Sequence, residues 1–114
     1  MNMKKNKSES TVRDLLLNNG FSLSEQADER KAGVDIIAMK NGMALLIEVK
    51  KASLHNRAWQ VDKVSTKQAE VCDTIAIVTP YGVDILPMKD HLKLCKKDGK
   101  RYVTDMVKLH KALA

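Results

Sequence analysis

The sequence predicts an α/β sandwich, a mixed sheet with helices packed on both faces. Two short apolar runs, residues 34–39 and 44–49, flank Asn41-Gly42, the strongest short hairpin signal available. A third run, Thr74-Ile75-Ala76-Ile77-Val78-Thr79, is apolar on both faces, as a central covered strand must be. Segments with apolar residues at helical spacing precede and follow these runs.

Residues 1–7 read as a flexible N-terminus and residues 8–114 as one domain. Ser8 or Ser10 can cap a helix whose apolar positions Val12, Leu15, Leu16 and Leu17 end at Asn18-Asn19-Gly20, a stop signal. Phe21 opens a segment, FSLSEQA, that alternates apolar and polar residues like a half-buried strand, and DERKAG reads as a loop. The hairpin follows. The polar stretch 51–64 leads to a helix over residues 65–73, then to the strands TIAIVTP and GVDIL. From Met88 the chain reads as one or two lysine-rich helices, with Val103, Met106, Val107 and His110 on one face.

The 114 residues suit a single domain, and with aromatics at 4% the packing falls to Leu, Ile, Val and Met. Lys and Arg number 20 against 14 Asp and Glu, a net charge of +6, and both signs divide evenly about Arg57. A polyanionic partner is therefore favoured, with the charge organised in space and not in a tail. Cys72 and Cys95 lack a Cys-x-x-Cys spacing and a nearby His cluster, which argues against zinc and for reduced packing residues in a cytoplasmic protein. No apolar run of about 18 residues occurs, and the basic N-terminus lacks the apolar core of a signal peptide, so no membrane association is expected.

The charges within the hairpin carry the functional argument. A two-residue turn at Asn41-Gly42 pairs Lys40 with Met43, and continuing that ladder sets Asp35 opposite Glu48. Opposed side chains have Cβ atoms roughly 4.5–5.5 Å apart, and two carboxylates there repel unless positive charge lies between them. A divalent cation serves. Period-two alternation puts Lys50 on the same face as Glu48. Two carboxylates and an amine are the minimum for metal-assisted phosphodiester hydrolysis, in which oxygens hold Mg²⁺ or Mn²⁺ and the amine helps position or activate water. The alternative is that the acids sit at exposed strand ends, with Lys50 in a surface ion pair. The apolar flanks weigh against it, because a carboxylate among Ile and Leu is costly without a partner.

The stretch GVDIIAMKNGMALLIEVKK resembles the core motif of the PD-(D/E)xK nuclease superfamily. Asp35 stands at the first motif position, Glu48-Val49-Lys50 forms the (D/E)-x-K element, and Val34 replaces the usual proline. The chain is most similar to the Holliday-junction resolvase and VRR-NUC group over residues 9–78, with Glu9 placed as that group's helical carboxylate and Gln68 as its helical glutamine. The resemblance implies a restriction-endonuclease-like sandwich with a central mixed β-sheet flanked by helices. It also implies a DNA endonuclease, with branched or junction DNA as a candidate substrate, working as a homodimer. Asp35, Glu48 and the Val49 carbonyl would hold Mg²⁺ or Mn²⁺, Lys50 would assist the nucleophile, and Glu9 and Gln68 would support catalysis.

Several of these residues have a plainer alternative. Glu9 also suits a first-turn acid on the helix dipole, and Ser65-x-x-Gln68 is also a capping box. Lys51, Arg57, Lys63 and Lys67 can follow a phosphate backbone with Trp59 stacking on a base, or form a solvated loop pinned by the only tryptophan. The lysines between Lys89 and Arg101 offer a second phosphate-contacting surface or a solvated face. Two rival functions stand beside the nuclease: a nucleic-acid-binding module of the same fold without cleavage, and a basic protein-interaction domain.

Overall fold

The computed structural model describes residues 3–55 and 58–104. Along the chain these form α1 (Met3–Asn18), β1 (Ser22–Leu23), α2 (Gln26–Ala32), β2 (Ile36–Lys40), β3 (Met43–His55), β4 (Ala58–Val61) and β5 (Val64–Ser65). They continue with α3 (Thr66–Val71), β6 (Thr74–Thr79), β7 (Gly82–Pro87), α4 (Met88–Leu92), β8 (Cys95–Asp98) and β9 (Arg101–Thr104). The main sheet has the order β1-β2-β3-β6-β7, with β4 paired to the far end of β3, and a second sheet has the order β5-β9-β8. Within the main sheet β3 and β6 run parallel while β2–β3 and β6–β7 are antiparallel, so the sheet is mixed.

Asn41 and Gly42 both adopt positive φ, 51° and 77°, as the tight β2–β3 turn requires. The expected register follows, from Lys40 opposite Met43 to Ile36 opposite Ile47. Strand β6 is covered on both faces, and Thr74, Ile75, Ala76 and Ile77 are all buried. One core packs Val12 and Leu16 of α1 onto Ile36, Ala38, Ile47, Val49 and Ala76. The other gathers Val34, Ala52, Val64, Cys72, Ile75, Ile77 and Met88 on the opposite face, beneath α3 and α4. Alternation along β3 therefore turns Ile47 and Val49 toward α1, and Glu48 and Lys50 toward α3.

Four expectations need correction. Helix α1 begins at Met3, so Ser8 and Ser10 lie inside it and do not cap it. The segment read as a strand followed by a loop is a two-residue strand followed by α2. Residues 26–32 contain no breaker, carry acids in the first turn and bases in the last, and stop at Gly33, whose φ of 77° closes the C-cap. The polar stretch after Val49 is not a loop, because β3 runs on to His55 and folds back through β4, pairing Ala52 with Val61 and Leu54 with Trp59. Among the described residues the lysine-rich C-terminal region contains the short α4, after which β8 and β9 form a hairpin around Gly99, at φ 65°, that extends β5. Arg57, and the positions Met106, Val107 and His110, lie outside the described residues. No helix among the described residues is long and apolar enough to cross a membrane.

Candidate active site

The β2–β3 ladder stops at Ile36–Ile47, one step before Asp35. The Asp35 amide donates to the Ile47 carbonyl at 3.1 Å, and its carboxylate Oδ2 accepts from the Val49 amide at 2.9 Å. The expected opposition of Asp35 and Glu48 as ladder partners is thus replaced by a side chain that substitutes for the next backbone acceptor. Beyond this point β4 takes over the same edge of β3, where the Asp62 amide donates to the Lys51 carbonyl at 3.0 Å. Val49 lies in the notch between the two. In an extended strand the N–H and C=O of one residue leave on the same side, so the Val49 carbonyl is directed to the edge where Asp35 sits.

Glu48 is 2% exposed and turns toward α3. A carboxylate buried so deeply needs donors. Gln68 Nε2 donates to its Oε1 at 3.1 Å, Lys50 Nζ stands 3.6 Å from the same oxygen, and the Cys72 thiol donates to Oε2 at 3.9 Å. Gln68 also completes the capping box, its Oε1 accepting from the Ser65 amide at 2.9 Å while its own amide donates to Ser65 Oγ at 3.0 Å. The two roles open for Gln68 are both realised in its contacts. Burial pushes the Cys72 thiol up from 9.0 to about 12, reinforced by the negative charges of Glu48, Asp35 and Asp73. Asp35 and Glu48 therefore act on one buried thiol, and with Lys50 they are gathered around Val49.

On the other side of Asp35 stands an ion-pair network that the sequence reading missed. The Arg13 guanidinium on α1 pairs through Nη2 with the Glu29 carboxylate on α2, which is 2% exposed, and the same Nη2 donates to the Asp35 carbonyl at 3.2 Å. Glu29 Oε2 in turn accepts from the Ile37 amide at 2.7 Å. Glu9 joins through Arg13, its Oε2 standing 3.7 Å from Nε. Glu9 and Asp35 line one cleft of about 260 Å³, together with Arg13, Gln26, Glu29 and Arg30. The sequence held one signal for this, the Glu9-x-x-x-Arg13 spacing of a helical ion pair. Glu29 could be found only by recognising α2.

The expected phosphate-contacting lysines do not share a face. Lys51 is exposed on the α1 side, where it lines a cleft of about 460 Å³ with Lys7, Ser8 and Thr11. Lys63 is exposed between β4 and β5, and Lys67 is exposed in the first turn of α3, on the Glu48 side.

As metal ligands, Asp35, Glu48 and the Val49 carbonyl form an all-oxygen set, which suits a hard cation such as Mg²⁺ or Mn²⁺ that keeps several waters. Among the described residues no group of three or more His, Cys, Asp and Glu side chains is arranged to hold a metal, so the backbone carbonyl would be needed. No protein-family model and no curated protein matches the chain.

Proposed function

We propose that the protein is a divalent-metal-dependent DNA endonuclease with a restriction-endonuclease-like sandwich, and that the notch at Val49 is its active site. The observation that carries this reading is the gathering of Asp35, Glu48 and Lys50 about one residue of a central strand. Asp35 is fixed on the Val49 amide at 2.9 Å, and Lys50 lies 3.6 Å from Glu48. A structural ion pair alone explains Lys50 and Glu48. It does not explain why a second carboxylate should leave its ladder position and bond to the amide of the residue between them.

In this reading Asp35, Glu48 and the Val49 carbonyl hold Mg²⁺ or Mn²⁺, which when bound supplies Lewis-acid polarisation of the phosphate and a more acidic water. Lys50 keeps an ammonium beside Glu48, placed to hold an attacking water or to offset charge developing on the phosphate. Gln68 orients Glu48 from α3. Glu9 contributes a further carboxylate to the cleft beside Asp35. The excess of basic residues contacts the DNA backbone, with Lys51, Lys63 and Lys67 as candidates. Branched or junction DNA is the proposed substrate and a homodimer the working form. Action in the cytoplasm is part of this reading, and it accords with Cys72 and Cys95 serving as buried packing residues.

Labelled four-way junction, flap, duplex and single-stranded DNA, incubated with Mg²⁺, Mn²⁺ or EDTA, test the reading. Metal-dependent cleavage that Asp35→Asn abolishes supports it. DNA binding without cleavage under every condition would leave the non-catalytic binding module as the better account, and binding neither to any of these DNAs nor to a single-stranded RNA tested beside them would leave the protein-interaction domain.

A further inference from the structure

We infer that Arg13 is a positioning residue, whose guanidinium fixes the backbone bend that turns the Asp35 carboxylate onto the Val49 amide. Its consequence for catalysis rests on the nuclease reading. The bend itself does not.

Asp35 departs from a regular ladder at the position where its side chain must reach sideways. Such a departure persists only if neighbouring groups hold it. Two backbone groups that follow the bend are held: the Asp35 carbonyl, which accepts from Arg13 Nη2 at 3.2 Å, and the Ile37 amide, which donates to Glu29 Oε2 at 2.7 Å. Arg13 and Glu29 are themselves paired, with side-chain exposures of 15% and 2%, so the clamp on the backbone that leaves Asp35 is one connected unit. It anchors β2 to α1 and α2 at once. Both contacts leave from one nitrogen at the tip of the guanidinium, Nη2, which stands one bond further from the backbone than a lysine ammonium would. The Glu9 carboxylate, 3.7 Å from Arg13 Nε, ties the second acid of the cleft to the same group.

The test is amide hydrogen exchange of the full chain, read at Val49 with Leu45, paired with Ala38 in the regular ladder, as the internal reference. Arg13→Lys keeps a positive charge opposite Glu29 while shortening the reach toward the Asp35 carbonyl. The double variant Arg13→Gln with Glu29→Gln removes both charges together, so that no lone buried charge is left to unfold the protein. In both variants the Val49 amide is expected to exchange about tenfold faster relative to Leu45, the change in local opening expected when the stabilisation of one hydrogen bond is lost. Asp35→Ala sets the rate for a Val49 amide without its acceptor. In a parent that cleaves DNA, kcat should fall by about 10- to 100-fold with KM little changed. Parental exchange at Val49 in both variants, or an unchanged kcat in a parent that cleaves, overturns the inference. A parent that cleaves nothing overturns the nuclease reading alone, and the Val49 rate still decides the role of Arg13.

Discussion

Gln68 bonds to Glu48 with one end of its amide and to Ser65 with the other: Nε2 donates to the Glu48 carboxylate at 3.1 Å while Oε1 accepts from the Ser65 amide at 2.9 Å. The cap that starts α3 and the orientation of a buried acid on β3 are therefore a single interaction system. Fixing Gln68 in the capping box removes its rotational freedom before it meets Glu48, so little further side-chain entropy is lost in making that contact.

Two substitutions separate these roles. Ser65→Ala removes the N-cap hydroxyl and should cost about 1 kcal/mol of stability. Gln68→Ala removes the reciprocal half of the cap and also a donor to a carboxylate that is 2% exposed, which adds about 1–3 kcal/mol. Urea unfolding at neutral pH measures both. A Gln68→Ala cost no larger than that of Ser65→Ala would show that the Glu48 contact contributes nothing.

Metal binding should appear as stability. With Asp35 and Glu48 both near Val49, Mn²⁺ in a hundredfold excess over its Kd is expected to stabilise the fold by about 2.7 kcal/mol. Asp35→Asn should abolish the shift yet leave the fold intact, because the amide oxygen can still accept from the Val49 amide while the charge is gone. Thermal unfolding with and without Mn²⁺, followed for both proteins, is the measurement. An equal shift in the variant places the ion elsewhere.

Acid should destabilise the protein through His91. This residue of α4 is 3% exposed, its Nε2 stands 3.6 Å from the Cys95 thiol, and burial lowers its pKa from 6.5. Because the folded pKa lies below the unfolded one, the unfolded chain takes up the proton first. Stability is intact above 6.5 and declines as pH falls below it, with a slope of at most about 1.4 kcal/mol per pH unit. His91→Gln should flatten that slope between about pH 6.5 and 5, above the range where most carboxylates titrate. An unaltered slope in the variant would assign the acid sensitivity to other groups.

What the sequence disclosed and what it concealed follow from the range of the interactions involved. Asn41-Gly42 determines its own turn, and the turn sets the register as far as Ile36–Ile47, so the hairpin was legible from local residues. Ser65 and Gln68 were legible for the same reason. Asp35 leaving the ladder was not, because period-two alternation has no way to mark a bend held by Arg13, which lies 22 residues earlier. The seven residues of α2 were hidden by their charge: Asp28, Glu29, Arg30 and Lys31 look like a solvated loop until Gly33 is taken as a C-cap. Glu29 becomes meaningful only once that helix packs. The C-terminal lysines spread over α4 and over a hairpin whose strands find their partner in the distant β5, a pairing that no local pattern announces.

Lys50 supplies the sharpest test of the site, since its charge and its position can be separated. The chain carries 20 Lys and Arg residues, so Lys50→Ala should leave most of the DNA affinity in place and reduce the salt slope by only about one. Glu48 keeps its contacts with Gln68 and Cys72 but loses its cation, so urea unfolding of the variant accompanies the assay and Lys50→Gln, which retains a donor, serves beside it. Cleavage should nonetheless fall by about 10²–10³-fold, the usual effect of removing one donor that meets developing charge. That difference arises because the ammonium beside Glu48 acts most strongly in the transition state, and an interaction stronger there than in the bound substrate changes kcat and not KM. Lys97→Ala is the control: it removes an equal charge from an exposed position on β8, and should shift affinity slightly while leaving kcat unchanged. Single-turnover cleavage under saturating DNA and metal, alongside salt-dependent binding, measures both terms. Equal losses of affinity and rate in Lys50→Ala would make Lys50 one phosphate contact among many, and an undiminished rate would remove it from the chemistry.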